Sequence, residues 1–223
     1  MKIDVLTLFP KMFESLDESV IGRAQKNGLV EIKTIDIRSF TKDKHNRCDD
    51  TPFGGGPGMV MSAQPICDAF DSISKSNETI RIYLSPKGKV LNNELAKNLA
   101  KKNHLILLCG HYEGIDQRAI DLNIDQEISV GDYVLTGGEL PAMILIDAVS
   151  RFIPGVLGCD ESADSESFEN NLLEYPHYTR PQSYNGLDVP EVLLSGHHDN
   201  IIKWRTEKSR EITKKNRPDL LDK

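Results

Sequence analysis

Five short apolar runs, IDVLTLF (3–9), LVEIKTIDI (29–37), IRIYLS (80–85), HLILLCG (104–110) and EISVGDYVL (127–135), recur through the first two thirds of the chain, with helical patterns between most of them. Strands that are separated by helices cannot close as hairpins, so they imply an α/β fold: a largely parallel sheet covered by helices on both faces. KMFESLDESVIGRAQKNG carries Phe13, Leu16, Val20 and Ala24 near helical spacing and stops at Gly28. Ser62 can cap a helix bearing Ile66, Phe70 and Ile73, and another helix is expected around Leu95 and Leu99. AMILIDAVSRFI (142–153) is apolar nearly all round, the pattern of a buried helix.

At 223 residues the length suits one large domain with a small partner. The character changes at 159–169, CDESADSESFE, which holds five acids and no base, a composition that resists packing and suits a flexible linker. Domains are therefore expected at 1–158 and 170–223 with a linker at 159–169. The second is rich in turns and then forms a helix from about Asn200, with Ile201, Trp204 and Ile212 on one side, ended before Pro218.

Bulk properties exclude several classes. No apolar stretch approaches a membrane span, and the apolar part of MKIDVLTLFPKMFE is too short for a secretion signal, so a soluble, cytoplasmic protein is expected. Four cysteines without close pairing, and without metal-type spacing to the six histidines, read as free thiols, with no metal site. The formal charge of −7 predicts weak non-specific binding to nucleic acid, yet residues 203–217 hold seven bases against Glu207 and Glu211. An acidic chain can still present a basic face.

Three junctions follow apolar strands: YLSPKG (83–88), CGHYEGID (109–116) and VGDYVLTGGELP (130–141). Each carries glycine, proline or both, which leaves backbone groups free to meet a flat polar ligand at strand ends. For Gly137 and Gly138 two readings stand: a tight turn that other residues would strain, favoured when the stretch is taken alone, or close approach of backbone to a ligand. Neither a P-loop nor a dinucleotide fingerprint occurs. DDTPFGGGPGM (49–59), with Asp49, Gly55 and Gly56, follows Lys42, Lys44, His45 and Arg47. It is a mobile surface loop or an RNA-facing loop whose bases meet phosphates and whose Phe53 stacks. Arg151 ends an apolar helix, where a guanidinium needs an anion or a polar network. Glu113, Asp116 and Asp132 are turn residues or ligand contacts; His177, Tyr178 and Arg180 in PHYTRP pack, or touch RNA.

LFPKMF, GRAQKNG, DDTPFGGGPGM, YLSPKG, GHYEGID, GDYVLTGGELPA, SRFIPGVLG, LLEYPHYTRP and LLSGHH, in that order, resemble the bacterial tRNA (guanine-N1)-methyltransferases of the SPOUT or α/β-knot class. The resemblance spans essentially the whole chain. It implies methyl transfer from S-adenosylmethionine to N1 of guanine 37, immediately 3′ of the tRNA anticodon, by a trefoil-knotted homodimer with each site at the subunit interface. Cofactor contacts are implied at Tyr83, Leu84, Ser85 and Pro86; at Gly110, Tyr112, Glu113 and Gly114; and at Val130, Gly131, Asp132, Tyr133, Val134, Leu135, Gly137, Gly138 and Pro141. Asp49, Gly55, Gly56, His177, Arg180, Arg205 and Lys208 are implied to contact tRNA, and Mg²⁺ to assist. Arg151 would stabilise charge at guanine O6 and Glu166, of the linker, would take the N1 proton, with Asp164 as fallback. The family usually reads D-S-F where this chain has Glu166, Ser167 and Phe168. Other readings are a knotted methyltransferase acting on a ribose hydroxyl or on ribosomal RNA, and a non-catalytic RNA-binding module.

Overall fold

The structure is a computed structural model that describes residues 1–158 and 166–222. The chain divides into two compact units, Met1–Gly158 and Cys159–Lys223.

In the first unit, β1 (Lys2–Thr7), β2 (Glu31–Asp36), β5 (Thr79–Val90), β6 (His104–Cys109) and β7 (Gln126–Ser129) form one sheet in the order β2-β1-β6-β5-β7. Every pairing in it is parallel, as the strand–helix alternation predicts. Two-residue strands β3 (Asp49–Asp50) and β4 (Val60–Met61) pair separately and antiparallel. The helices are α1 (Ser19–Lys26), α2 (Ala63–Asp71), α3 (Asn93–Ala100), α4 (Gln117–Asn123) and α5 (Glu139–Ser150).

The unbroken apolar run of β6 is explained by its place in the middle of the sheet, buried on both faces. Leu105 and Leu107 pack in one core with Ala96 and Leu99 of α3 and Ala142, Leu145, Ile146 and Val149 of α5. Ile106 and Leu108, pointing the other way, join Ile66 and Phe70 of α2 and Ala119 of α4.

Several elements differ from expectation. The helix expected after β1 is broken into a 3₁₀ segment, Pro10–Asp17, and α1. Gly22 shows why the chain can fold back there, since a Cβ would lie 1.9 Å from the Asp17 carbonyl oxygen. β5 continues past residue 85 to Val90, with a register shift between Leu84 and Lys89. β7 stops at Ser129, so residues 130–135 are loop rather than strand, and Gly131 there has φ 151°. α4 escaped the sequence reading; Asp116 caps it, its carboxylate accepting from the Arg118 N–H at 2.9 Å. The apolar helix starts at Glu139 and ends at Ser150, with Arg151 as its C-cap. It is not buried all round, because Leu140 and Ile144 are 46% and 45% exposed.

The second unit contains a two-stranded ladder of β8 (Ser183–Tyr184) and β9 (Leu187–Asp188), then α6 (Glu191–Leu194) and α7 (His198–Asn216). The most buried residues of α7 are Ser209 and Thr213, one turn apart, and Ile201, Trp204 and Ile212 are half-buried. No helix among the described residues is long and apolar enough to cross a membrane.

Candidate active site

The three junctions converge. A cleft of about 180 Å³ opens beyond the carboxyl ends of β5, β6 and β7, lined by Tyr83, Leu84, Ser85 and Pro86 from the first, Gly110, Tyr112, Glu113 and Gly114 from the second, and Val130, Gly131, Tyr133, Val134, Leu135, Gly137, Gly138 and Pro141 from the third. In open α/β sheets this end of the strands is where ligands bind. Sixteen of the seventeen residues expected at the cofactor are thus brought together. Asp132 is the exception: it is exposed and does not line the cleft. The sequence reading passed over His111, Ile128, Ser129 and Thr136, which also line it. Their signal was position alone, since each sits inside or against a junction already singled out.

Much of the lining is backbone brought unusually near to other backbone. The Gly138 N–H donates to the Gly110 carbonyl at 2.8 Å, and Gly137 bridges His111. A Cβ on Gly138 would lie 2.8 Å from Cys109 Cα and from the Gly110 nitrogen. Gly138 has φ −84° and ψ −4°, and Gly137 is not among the glycines with positive φ. At Gly138 the need for glycine is therefore space rather than backbone conformation, while at Gly137 the atoms nearest a Cβ are side-chain ends of Glu139 and His111. On Gly110 a Cβ would crowd the Tyr83 ring at 2.9 Å. The result is a cleft with no side chain at Gly110 and Gly138 and an aromatic ring at its wall.

Polar groups behind the cleft fix its shape. Thr7, at the end of β1, donates its hydroxyl to a Glu139 carboxylate oxygen at 2.8 Å, and both residues are buried. Glu139 opens α5, where the helix dipole favours negative charge. Burial, and then that carboxylate, push the Cys109 thiol well above its usual range. Burial and Glu127 likewise push the Tyr83 phenol up to about 12. The His111 ring lies 4.9 Å from Phe9 and 5.0 Å from Tyr112, and its Nδ1 is buried without a hydrogen-bond partner among the described residues.

The glycine loop is stitched to the same place. Glu113 N–H donates to Met59 C=O at 3.0 Å, Met61 N–H to Gly114 C=O at 2.9 Å, and Asp116 N–H to Met61 C=O at 2.9 Å. Asp49 hydrogen-bonds Tyr112, whose phenol is raised first by burial and then by that carboxylate. Gly55 and Gly56 are exposed, with φ 79° and 124° and no atom near their Cβ positions, and Phe53 is fully exposed. Two of the basic residues before this loop already have acidic partners: Arg47 pairs with Asp43 at 3.1 Å and Lys42 with Asp68 at 3.3 Å.

Arg151 is half-buried at the end of α5. Asp164 lies outside the described residues. In the second unit, Glu166 shares a hollow of about 290 Å³ with Tyr175 and Arg205, among others. The Arg205 guanidinium stands 4.8 Å over the Tyr175 ring, and His177 approaches Glu174 at 2.8 Å. Lys208 pairs with Glu211 at 2.6 Å, which raises its ammonium pKa, and Arg180 is exposed before a cis Pro181.

Parallel sheet, ligand cleft beyond its carboxyl ends and main-chain lining together define a mixed α/β protein built to hold a small polar ligand. A family model described as tRNA (Guanine-1)-methyltransferase TrmD matches residues 1–223, and the chain belongs to that family. It is similar to the tRNA (guanine-N(1)-)-methyltransferase of Ruminiclostridium cellulolyticum, 62% identical over all of this chain and 97% of the relative. Namesakes from Clostridioides difficile and Clostridium tetani are 56% and 55% identical over the whole chain and 98% and 92% of their own lengths.

Proposed function

We propose that the protein methylates N1 of guanine 37 in tRNA with S-adenosylmethionine as donor. The observation that carries this reading is the meeting of three junction loops in one cleft, with glycine at 110 and 138 where a side chain would not fit. When bound there, S-adenosylmethionine supplies a methyl group already activated on a sulfonium, so no further activation of the donor is needed. The chain's own task is to align donor and acceptor and to keep water out. Main-chain groups at 84–86, 110–114 and 130–138 hold the donor, and Tyr83 closes the wall. Guanine N1 carries a proton and becomes nucleophilic as that proton leaves. Glu166 is the general base that accepts it, and Arg151 stabilises the charge that spreads to O6. Asp164 is the fallback base.

Residues 1–158 act in this reading as the donor-binding domain and 170–223 as the tRNA-binding domain, joined by 159–169. Asp49, Gly55, Gly56, His177, Arg180, Arg205 and Lys208 contact the tRNA. The trefoil knot belongs to the same proposal, supported by the tight packing of residues 137–138 on 109–110. So does a homodimer: Leu140, Ile144 and Met12 leave apolar surface exposed along α5 and the 3₁₀ segment beside it, where the Ser15 hydroxyl meets Met143 Sδ at 3.5 Å. Mg²⁺ as an aid to activity rests on the family resemblance; among the described residues no group of three His, Cys, Asp or Glu is placed to hold a metal.

The test is transfer from labelled S-adenosylmethionine to an unmodified transcript with guanine 3′ of the anticodon, beside the same transcript with adenine there. N1-methylguanosine in the digest of the first alone supports the reading. A ribose-methylated nucleotide, or no product from protein that binds the donor, overturns it.

A further inference from the structure

From Glu166 onward the chain does not trail as a solvated tether. Phe168, Asn170 and Asn171 all take left-handed backbone, with φ 77°, 51° and 57°. Side-chain-bearing residues hold such conformations where their surroundings over-determine them. Here the surroundings are a set of ties. The Glu174 N–H donates to the Ser167 hydroxyl at 3.0 Å, and the Phe168 N–H to the Leu172 carbonyl at 2.7 Å, which close residues 167–174 into a loop. The Arg217 guanidinium lies 5.9 Å over the Phe168 ring. A side chain of α7 also fastens the loop: the Leu173 N–H donates to the Thr213 hydroxyl at 2.8 Å.

That hydroxyl is fully buried and both donates and accepts. It donates to the Ser209 carbonyl at 2.6 Å, one turn back, which turns its lone pair toward Leu173. Valine in its place would fill the volume but accept nothing, leaving the Leu173 N–H without its partner. Glu166, immediately before the loop, faces the same hollow as Ser209 and Arg205.

We propose that Thr213 is a positioning residue for methyl transfer: its buried hydroxyl fastens the 167–174 loop to α7 and so sets the point from which Glu166 reaches the guanine. The inference rests on Glu166 as the proton acceptor. It makes the base part of a fixed edge of the second unit, where the sequence alone suggested a flexible linker at 159–169.

The test uses the full-length protein with Thr213→Val, Thr213→Ser, Glu166→Ala and the double variant Thr213→Val/Glu166→Ala, in single-turnover methylation at saturating tRNA and donor. Thr213→Val is expected to slow the step roughly 10- to 100-fold, the scale on which small misplacements act, with tRNA and donor Kd within about threefold of the parent, as for a residue outside both contacts. Thr213→Ser restores the rate. On the Glu166→Ala background the valine change costs nothing more, because the group it positions is gone. Independently of activity, amide hydrogen exchange of the 166–174 peptide quickens in Thr213→Val and not in Thr213→Ser. Ser167→Ala, which cuts the other tie of the loop, is expected to repeat the rate and exchange signature, so the test stands even where the valine variant folds poorly. An unchanged rate, a loss confined to tRNA affinity, or an equal further loss on the Glu166→Ala background overturns the role of Thr213 while leaving Glu166 as base. A Glu166→Ala protein at full rate overturns the base assignment, and the inference with it, even if exchange in Thr213→Val still reports a loosened loop.

Discussion

Gly138 has an ordinary helical backbone and yet no room for a methyl group, because Cys109 and Gly110 pass within 2.8 Å of where a Cβ would sit. The obstructing atoms are backbone, which cannot swing aside as a side chain does. Gly138→Ala should therefore distort the cleft at a cost of about 1–3 kcal/mol. The expected outcome is a donor Kd weaker by tenfold or more by calorimetry, with Gly158→Ala, whose Cβ meets nothing within 4 Å, unaffected. Glu166, the proposed general base, calls for a different comparison. Glu166→Asp keeps the charge and loses a methylene, so the rate should fall about tenfold, against a loss of roughly 10²–10⁴ for Glu166→Gln, as expected of a removed general base. Rates at saturating tRNA across a pH series would separate the two.

At the scale of elements, the site depends on how β1 meets α5. Thr7→Val removes the hydroxyl that serves the buried Glu139 carboxylate, and a hydrogen bond to a charged group is worth about 1.5–3 kcal/mol. Urea unfolding should register that loss, and Thr7→Ser should recover most of it. β5 offers a pH test through Tyr83. Its folded pKa of about 12 lies above the unfolded value of 10, so the neutral phenol is favoured by folding. That contribution is fully present below pH 10 and is lost as pH rises to about 12, and a separation of this size corresponds to about 3 kcal/mol. Tyr83→Phe should flatten the fall in stability over that window.

Elements whose pattern has one cause were legible in the sequence. β6 is apolar throughout because both its faces are buried, and the run HLILLCG says so directly. The three junctions that line the cleft were legible for a related reason, as glycine and proline interrupt apolar strands there. Elements with two causes were not. Val130 to Leu135 is apolar enough for a strand, but all of its residues except Asp132 line a cleft rather than pair, and Gly131 bends the chain away. α4 is only seven residues long and is set by the Asp116 cap more than by periodicity. The break before α1 depends on Gly22 meeting the Asp17 carbonyl, a tertiary contact that no local pattern contains.

For the whole molecule, the exposed apolar side of α5 predicts its own cover. Leu140 and Ile144 replaced together by Asp should leave a folded chain that sediments as a monomer, binds tRNA through its second unit and transfers no methyl group. A variant that stays dimeric and active would remove α5 from the interface. The proposed division of labour gives the same experiment a second reading, because a site built from two chains fails when they part, even though each fold survives.

The crowded glycines of the cleft have a consequence for resistance. A competitor seated against Gly110 and Gly138 is hard to evade by substitution at either position, because the only available changes add atoms where neighbours already stand. Escape would have to come from substitutions that narrow the opening for donor and competitor alike, so a bacterium would surrender its own methylation in order to evade the inhibitor.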